Sequence, residues 1–596
     1  MIDLTKKPYC LNPEQIRWVE QTIASMSEEE KIRQLFVHLT AAGDDEELVK
    51  EEATTMQMGA IRFNPRKKEE MWNMNRLFQK YSKIPVLSAV NVEAGGNGAT
   101  SDGTNVGQQV KVAATGDSSY AYKMGQICGR ETRAVGSNWA FAPIVDLIMN
   151  WHNPAISTRA FSKDPDVVLA FAREYFRGIS ESGIVCAMKH FPGDGVDERD
   201  PHIATSVNDL TCDDWDATFG KVYKGMIEAG VQSIMTGHIM LPAYQKKFNP
   251  TMHEDEYLPA TLSKELLTDL LRGQLGFNGL IVTDASHMVG LAGRSKRSRM
   301  VPGSIMAGCD MLLFYNDFEE DVQYMTDALH DNYLTQERLH DALTRILGLK
   351  VLAGLDTFTM DKFPPQEGME VIGCPDHKQV SIEVSERAIT LVKQVGENIF
   401  PITDKKRILM VPVGPKPSPI LSIAGMGADG SKLLNGLQEK LEKHGHTVTV
   451  YVDPVEAIVK KMAMLSPEQR ANESKLLGKK GAYGMKSSIE ALTGSYDLVI
   501  CVANVSATMR TTQRLEWAIS KGGWDNPWYV NEIPTIFVSF NCPFHLADVS
   551  QVKNFINCYD AQESSVEAFV AKIEGESEFT GVSPVDAFCG MLDTRF

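Results

Sequence analysis

The sequence lacks the short motifs that mark most metal, nucleotide and redox sites. It contains no H-E-x-x-H, no P-loop and no zinc-type spacing of cysteine and histidine, and its ten cysteines include no C-x-x-C pair. Such motifs supply the ligands or the phosphate cradle that a bound metal or nucleotide needs. We therefore expect no metal and no cofactor, and we expect the cysteines to be reduced, mostly buried thiols.

Long apolar runs are also missing. No stretch of about 18 apolar residues occurs, and the first residues, Met1 to Lys7, carry no apolar h-region, so the sequence predicts neither export nor a membrane span. Positive charge is scarce as well, since 60 Lys and Arg stand against 77 Asp and Glu for a formal net charge of −17. This charge repels nucleic acids and anionic membranes. We expect a cytoplasmic protein, monomeric or homodimeric, with no nucleic-acid or membrane partner.

Eight short apolar runs alternate with segments of helical periodicity in the first part of the chain. Eight β-plus-α units in about 320 residues predict a (β/α)₈ TIM-type barrel, because a doubly wound sheet normally needs only five or six strands. Helix start signals, such as Asp164-Pro165 before Val167 to Ile179, support the alternation. The predicted strands are Leu35 to Leu39, Ala60 to Phe63, Val86 to Val90, Trp139 to Ala142, Val185 to His190, Gln232 to Thr236, Leu280 to Asp284 and Met311 to Tyr315.

Polar side chains cluster at the carboxyl ends of these predicted strands, whereas Gly, Pro and Asn dominate the amino ends. The chemistry of such barrels lies at the carboxyl ends, so the asymmetry predicts one active-site face. The polar residues are Asn91, Glu93, Asp146, Lys189, His190, His238 and Asp284.

The rest of the chain predicts a second domain. Residues 356–377 carry three prolines and two glycines with weak periodicity and are the predicted linker between a catalytic barrel over 1–355 and a C-terminal domain over 378–596. Buried-looking strands separated by helices predict that this domain is a three-layer α/β sandwich. Its Gly425 to Gly430 segment fits G-x-G-x-x-G, but the preceding strand is predicted to end at Val413, too early for a dinucleotide site.

Two segments concentrate the chemistry. Lys189 to His202 holds two histidines, one lysine and four acidic side chains in a loop whose course two prolines and two glycines fix. The run Leu280 to Met288 is an apolar strand with Asp284 near its end. A carboxylate facing a separate proton donor is the minimum equipment for double-displacement glycoside hydrolysis.

At these residues the sequence resembles glycoside hydrolase family 3, and within it the bacterial β-N-acetylglucosaminidases. The family loop reads K-H-F-P-G-H-G followed by D-S-H, and here Lys189 to Gly195 is followed by Asp200-Pro201-His202, with Asp194 in place of the family's His. Four further motifs match in order. They are Phe141 to Asp146, Thr158 to Pro165, Met235 to Ile239 and Pro259 to Ser263.

The resemblance implies that Asp284 is the nucleophile and that His202, oriented by Asp200, is the acid/base. The chemistry agrees, because an imidazole titrates near pH ~6.5 and can both give and take a proton near neutrality. It further implies a retaining β-N-acetylhexosaminidase that cleaves terminal β-linked amino sugars from a small oligosaccharide or glycoside. The residues that match sugar-binding positions of the family are Arg159, Lys189, His190 and His238.

One departure concerns the sugar-gripping motif V-D-x-E-G-G-R, which reads Val90 to Asn97 here, with Asn91 in place of the Asp and no Arg after the glycines. An amide has one acceptor and adds donors, so hydroxyl recognition by Asn91 differs from the family's. Three alternatives stay open: a β-glucosidase, a β-glycoside phosphorylase that uses the same residues with phosphate as acceptor, and a non-catalytic sugar-binding protein.

Overall fold

The structure is a computed structural model that describes residues 2–414, 430–451, 462–480, 488–505, 515 and 529–596. The described residues form two compact units, one reaching Val384 and the other beginning at Ser385. The predicted linker, 356–377, falls inside the first unit, where it forms the 3₁₀ turns Met360–Lys362 and Gln366–Val371 before the helix Pro375–Ala388. The glycine motif at 425–430 lies, apart from its last residue, outside the described residues.

The first unit contains a closed barrel of eight parallel strands, which confirms the predicted (β/α)₈ fold. The strands follow each other around the ring in chain order, so each pairs with its neighbours in the sequence. Each strand begins and ends within about two residues of its prediction. They are β1 Phe36–Leu39, β2 Ala60–Arg62, β3 Leu87–Val90, β4 Trp139–Ala140, β5 Val185–Phe191, β6 Ser233–Thr236, β7 Leu280–Ala285 and β8 Met311–Leu313.

Apolar side chains pack on both faces of the barrel strands, inside the barrel and beneath the surrounding helices. All residues of β3, β5 and β6 are buried, as expected for parallel strands covered by helices. Trp139 on β4 fills the interior, where its indole N–H donates to Ser233 Oγ on β6 at 2.9 Å, so its single polar atom is satisfied.

Helices surround the barrel. Asp164 caps the helix Pro165–Ser180 by accepting from the N–H of Asp166, as the sequence signal predicted. A short parallel pair, Ser206–Val207 with Ile239–Met240, lies outside the ring. The main helices are Pro13–Ser25, Glu28–Arg33, Glu46–Thr55, Lys68–Tyr81, Gln109–Ala114, Ser119–Ala134, Pro165–Ser180, Lys221–Ala229, Pro242–Phe248, the π-wound Glu265–Gln274, Arg297–Ala307, Phe318–His330 and Gln336–Leu352.

The second unit is a mixed sheet with helices on both faces, which confirms the three-layer α/β architecture. Successive residues of one strand enter different cores: Ile408 belongs to one apolar cluster and Leu409 to the other. In spatial order the strands are β9 Thr390–Gln394, β14 Asn554–Asn557, β13 Thr535–Ser539, β12 Leu498–Ala503, β10 Arg407–Val413 and β11 Thr447–Val450. The helices are Gly430–Lys443, Pro467–Lys480, Ile489–Ser495 and Glu563–Ile573.

Neither unit offers a membrane-spanning helix among its described residues, since none of those helices is both long and apolar enough.

Candidate active site

Asp284 lies at the carboxyl end of β7, where its carboxylate accepts the N–H of Ala285 at 2.7 Å. Burial acts to raise the pKa of this carboxyl, but the imidazoles of His190 and His238 and the Ala285 N–H outweigh it and hold the pKa below its ordinary value. The group is therefore an ionised carboxylate near neutral pH, as the residue predicted to be the nucleophile must be.

His202 is held by Asp200 in the segment that follows β5. Nδ1 of His202 lies 2.7 Å from Oδ1 of Asp200, and the backbone N–H of His202 donates to the same oxygen at 2.9 Å. Asp200 is fully buried while the His202 side chain is 40% exposed, so one ring nitrogen faces the carboxylate and the ring edge reaches solvent. The hydrogen bond to Asp200 raises the pKa of His202 above its ordinary value of 6.5.

Backbone hydrogen bonds attach the His202 segment to the chain just after Asp284. Val289 N–H donates to the carbonyl of His202 at 3.2 Å, and Gly290 N–H donates to the carbonyl of Pro201 at 3.0 Å. The charge of Asp284 also acts on His202 and helps to raise its pKa. The proton donor and the carboxylate predicted from separate segments therefore belong to one site.

Glu93, which follows β3, is the centre of a charged cluster on the same face. Nε and Nη2 of Arg159 each lie 2.8 Å from one of its two oxygens, and Nζ of Lys189 lies 2.6 Å from Oε1. Although burial acts to raise the pKa of Glu93, these two cations lower it far below its usual range. The cluster fixes Arg159 and Lys189, both predicted to hold the sugar, in one place.

His190 forms a second aspartate–histidine pair with Asp146, the polar residue that follows β4. Its Nδ1 lies 2.7 Å from Oδ2 of Asp146, and its backbone N–H donates to Oδ1. The pairing of β5 with β6 changes register between Lys189 and Phe191. This irregularity lets the successive side chains of Lys189 and His190 both face the site, which a regular strand would not permit.

His238 uses both ring nitrogens within the protein. Nδ1 lies 2.8 Å from Oγ1 of Thr261, and Nε2 lies 3.0 Å from the carbonyl of Ala285. Burial lowers the pKa of His238, so the ring is neutral, with Nε2 donating to the carbonyl and Nδ1 accepting from the hydroxyl. The structure thus gives His238 a role in holding the backbone beside Asp284.

Asn91 follows the last residue of β3, on the opposite side of the ring from β7. Its side chain is exposed and makes no hydrogen bond among the described residues. It shares the active-site face with the other predicted residues without being fixed by any of them.

The structure gives two acidic residues a larger part in the site than the sequence predicts. The only signal that the sequence offers for Glu93 and Asp146 is their position at strand ends. Asp194, the replacement for the family's histidine, packs beside Asp146, whose Oδ1 accepts the Asp194 N–H at 2.8 Å. Burial and the charge of Asp146 raise the pKa of Asp194 to about 7.

Glycines let the loop after β5 fold this tightly. Gly195 has φ 106°, and a Cβ at this position would lie 2.0 Å from the carbonyl oxygen of Leu147. Any side chain there would displace the segment that carries Asp194 and, further on, His202.

The chain also matches proteins of known family. A family model described as Glycosyl hydrolase family 3 N terminal domain covers residues 27–349. A β-N-acetylglucosaminidase/β-glucosidase of Cellulomonas fimi is 38% identical over 598 residues, which cover all of both chains. β-Hexosaminidase A of Pseudoalteromonas piscicida is 30% identical over 353 residues, covering 56% of this chain and 57% of that protein.

Solved structures agree with the sequence relatives. A β-glucoside phosphorylase shares 37% identity and superposes with a TM-score of 0.87 over 99% of both chains. A family 3 β-N-acetylglucosaminidase from Paenibacillus, at 22% identity, shares the fold with a TM-score of 0.71 over 94% of this chain and 99% of its own. Taken with the family model and the full-length relative, these findings confirm the resemblance: the chain belongs to glycosyl hydrolase family 3.

Proposed function

We propose that the protein is a retaining β-glycosidase that removes β-linked N-acetylglucosamine, and β-linked glucose as well, from the non-reducing end of small glycosides. The observation that carries the proposal is that an ionised, partly buried Asp284 and the partly exposed, Asp200-held His202 belong to one site. The Cellulomonas fimi relative bears both activities in its name, which supports the two sugars.

In the first step the Asp284 carboxylate attacks C1 of the sugar while protonated His202 gives its Nε2 proton to the departing oxygen. The bond from C1 to the aglycone breaks, and a glycosyl ester on Asp284 forms. In the second step neutral His202 removes a proton from water, whose oxygen attacks C1 and releases Asp284. Two inversions at C1 leave the product with the β configuration of the substrate.

The cluster around Glu93 is suited to hold the sugar during both steps. A carboxylate that already binds two cations still has lone pairs for sugar hydroxyls, and the remaining N–H groups of Arg159 and Lys189 can donate to sugar oxygens. His190, oriented by Asp146, adds a donor to the site and is near enough to Asp284 to lower the pKa of its carboxyl. Asn91, which follows β3 on the side of the barrel opposite β7, supplies an amide.

Transfer to phosphate instead of water is a second candidate. The structural neighbour that shares 37% identity over nearly the whole chain is a β-glucoside phosphorylase. An imidazole acid/base favours this reaction, because a neutral or positive ring does not repel phosphate as a carboxylate would. The same Asp284 ester would then release a sugar 1-phosphate.

A panel of p-nitrophenyl β-glycosides, assayed with and without phosphate, tests the proposal. We expect release of nitrophenol from the glucosaminide and the glucoside, and a β-configured first product by proton NMR. A sugar 1-phosphate as the main product would select phosphorolysis. Binding of sugars without any turnover would reject the enzymatic proposal in favour of a sugar-binding protein. The cytoplasmic location and the monomeric or homodimeric state remain predictions.

A further inference from the structure

Arg62 is a buried arginine whose side chain has no partner among the described residues. It is the last residue of β2, at the active-site end of the strand, and only 8% of the residue is exposed. Its Nη1 is buried without any hydrogen-bond partner, and its side chain forms no ion pair with the described residues. Buried arginines are nearly always paired, because an unpaired charge loses its hydration without compensation.

The charge of Arg62 persists despite this burial. Burial lowers its pKa to about 10, while the charge of Glu93 acts in the opposite direction, so the guanidinium is protonated at neutral pH. Glu93 does not neutralise it, since both of its oxygens already bind Arg159 and Lys189. Three cations therefore share one carboxylate on this side of the barrel mouth.

The ring order locates this excess of positive charge relative to the reacting carbon. In a closed ring of eight strands, β7 lies opposite β3, and β2 is the neighbour of β3. If C1 of the sugar sits at Asp284 on β7, the end of the ring that carries C4 and C6 extends toward β2 and β3. The guanidinium of Arg62 and the exposed amide of Asn91 both lie on that side.

We propose that Arg62 is a further substrate-binding residue, whose guanidinium donates hydrogen bonds to an oxygen substituent on C4 or C6 of the non-reducing sugar. The acceptor is either a neutral hydroxyl or an oxyanion, such as a phosphate, sulfate or carboxylate group. Both present oxygen lone pairs to a planar donor with several N–H groups. The inference rests on the proposed function, because it takes the position of C1 from Asp284.

Stability separates this role from a structural one. An unpaired buried cation costs folding free energy, so its replacement by an apolar side chain of similar length should leave the melting temperature unchanged or raise it. Arg33 is the matched control, because it is 7% exposed but forms ion pairs with Glu29 and Glu319 before the start of β1. Arg33→Met should lower the melting temperature and leave substrate selectivity unchanged.

The test compares wild type, Arg62→Met, Arg62→Lys and Arg33→Met. The substrates are p-nitrophenyl β-glucoside, its 4-deoxy and 6-deoxy analogues and its 6-phosphate, with kcat/KM measured for each. In the wild type, loss of the bonded hydroxyl should lower kcat/KM by about tenfold or more, because the site is left with an unpaired donor. In Arg62→Met that difference should shrink to about threefold or less, and Arg62→Lys should restore part of it.

The 6-phosphate distinguishes the two acceptors. If the wild type prefers the 6-phosphate to the glucoside and Arg62→Met does not, the acceptor is an oxyanion. If Arg62→Met only reduces the difference in kcat/KM between the glucoside and its deoxy analogues, the acceptor is a hydroxyl. Unchanged ratios in a folded Arg62→Met enzyme, or a melting temperature lowered as far as in Arg33→Met, overturn the proposal. If the wild type cleaves none of these glucosides, the glucosidase part of the proposed function fails. Calorimetric titration with glucose, 6-deoxyglucose and glucose 6-phosphate then decides on Arg62 separately, and equal affinities in both proteins, or no binding, overturn its role.

Discussion

Oδ1 of Asp200 lies 2.7 Å from Nδ1 of His202 and is its partner within the loop after β5. The other carboxylate oxygen of Asp200 is buried and has no hydrogen-bond partner in the part of the chain that the structure describes. The charge of Asp200 therefore acts almost entirely on His202, through its imidazole and its backbone N–H. Because the carboxylate accepts a hydrogen bond from Nδ1–H, Nε2 is left to exchange protons with substrate and water.

Asp200→Asn should move the alkaline limb of the pH–rate profile to lower pH. The acid form of His202 gives its proton to the leaving group, and Asp200 raises the pKa of that form, so activity persists above the ordinary value of 6.5. An amide keeps the shape but loses the charge. We expect the limb of kcat/KM to shift downward and the rate at neutral pH to fall by about 10²- to 10⁴-fold.

Asp146→Asn is the matched control, because it removes the equivalent partner of His190. It should slow the reaction without moving the alkaline limb. A profile of unchanged midpoint in Asp200→Asn would show that another group donates the proton.

His202→Ala should affect substrates according to their leaving groups. Protonation matters only when the departing oxygen is basic, so alkyl glycosides should lose about 10²- to 10⁴-fold in kcat/KM and dinitrophenyl glycosides far less. Azide or formate should restore part of the second step. His330→Ala replaces an exposed surface histidine that pairs with Glu28, and it should leave kcat/KM unchanged for both classes of substrate. Equal losses for both classes of leaving group would assign His202 a structural role.

Asp284→Asn should leave no measurable turnover in a folded protein, because no glycosyl ester can form. The carboxylate bonds only to the N–H of the next residue among the described contacts, and an amide oxygen can keep that bond, so little stability should be lost. A 2-fluoro glycoside should label the wild type at Asp284. Mass spectrometry that finds the label on Glu93 or Asp146 would move the nucleophile there.

The sequence predicts the barrel well because its strands are buried on both faces and read as continuous apolar runs. The strand β9 Thr390–Gln394 was missed. It is the antiparallel edge of the second sheet, its burial varies along its length, and it pairs with Asn554–Asn557 far along the chain. Long-range pairing of this kind leaves no local signal.

The site was predictable to the level of strand ends and no further. The bidentate contact of Arg159 with Glu93 joins residues 66 positions apart, and the missing partner of Arg62 depends on every neighbouring side chain. The tendency of polar residues to lie at the carboxyl ends of the strands also has an exception. Asp310, just before β8, is fully buried and pairs with Arg272 and Arg338 at the opposite, amino end.

The free energy of unfolding of the Asp194→Asn variant should increase relative to that of the wild type as the pH rises. Burial and Asp146 raise the pKa of Asp194 from 3.8 to about 7 in the folded protein. Between these values the folded state binds more protons than the unfolded state, so wild-type stability falls with rising pH, and an amide removes this loss. We expect the free energy of unfolding of the variant, relative to wild type, to gain about 1 kcal/mol or more between pH 4 and pH 7.

Urea unfolding at several pH values measures this difference. Asp194→Ala, which also loses the acceptor for Asn153 and Gly195, should be less stable than Asp194→Asn throughout. A difference between Asp194→Asn and wild type that does not change with pH would show that Asp194 is not the titrating group.

Asn91→Asp tests recognition at the end of the sugar remote from C1. The Asn91 side chain is exposed and unbonded among the described residues, so the substitution should leave the melting temperature nearly unchanged. A site built to bond a hydroxyl discriminates strongly, since a mispaired polar group costs about 1–3 kcal/mol. We therefore expect the ratio of kcat/KM between glucosaminide and galactosaminide or 6-substituted substrates to shift by about tenfold or more.

The matched control for Asn91→Asp is Asn64→Asp, which makes the same change of charge at another exposed residue, two positions beyond β2. If the amide of Asn91 contacts the sugar directly, only the Asn91 variant should alter the ratio, because a general electrostatic effect would act from both positions. Equal shifts in the two variants would indicate the added charge alone. An unchanged ratio in Asn91→Asp would mean that Asn91 does not touch the sugar and that other residues, with Arg62 the nearest candidate by strand order, select the epimer.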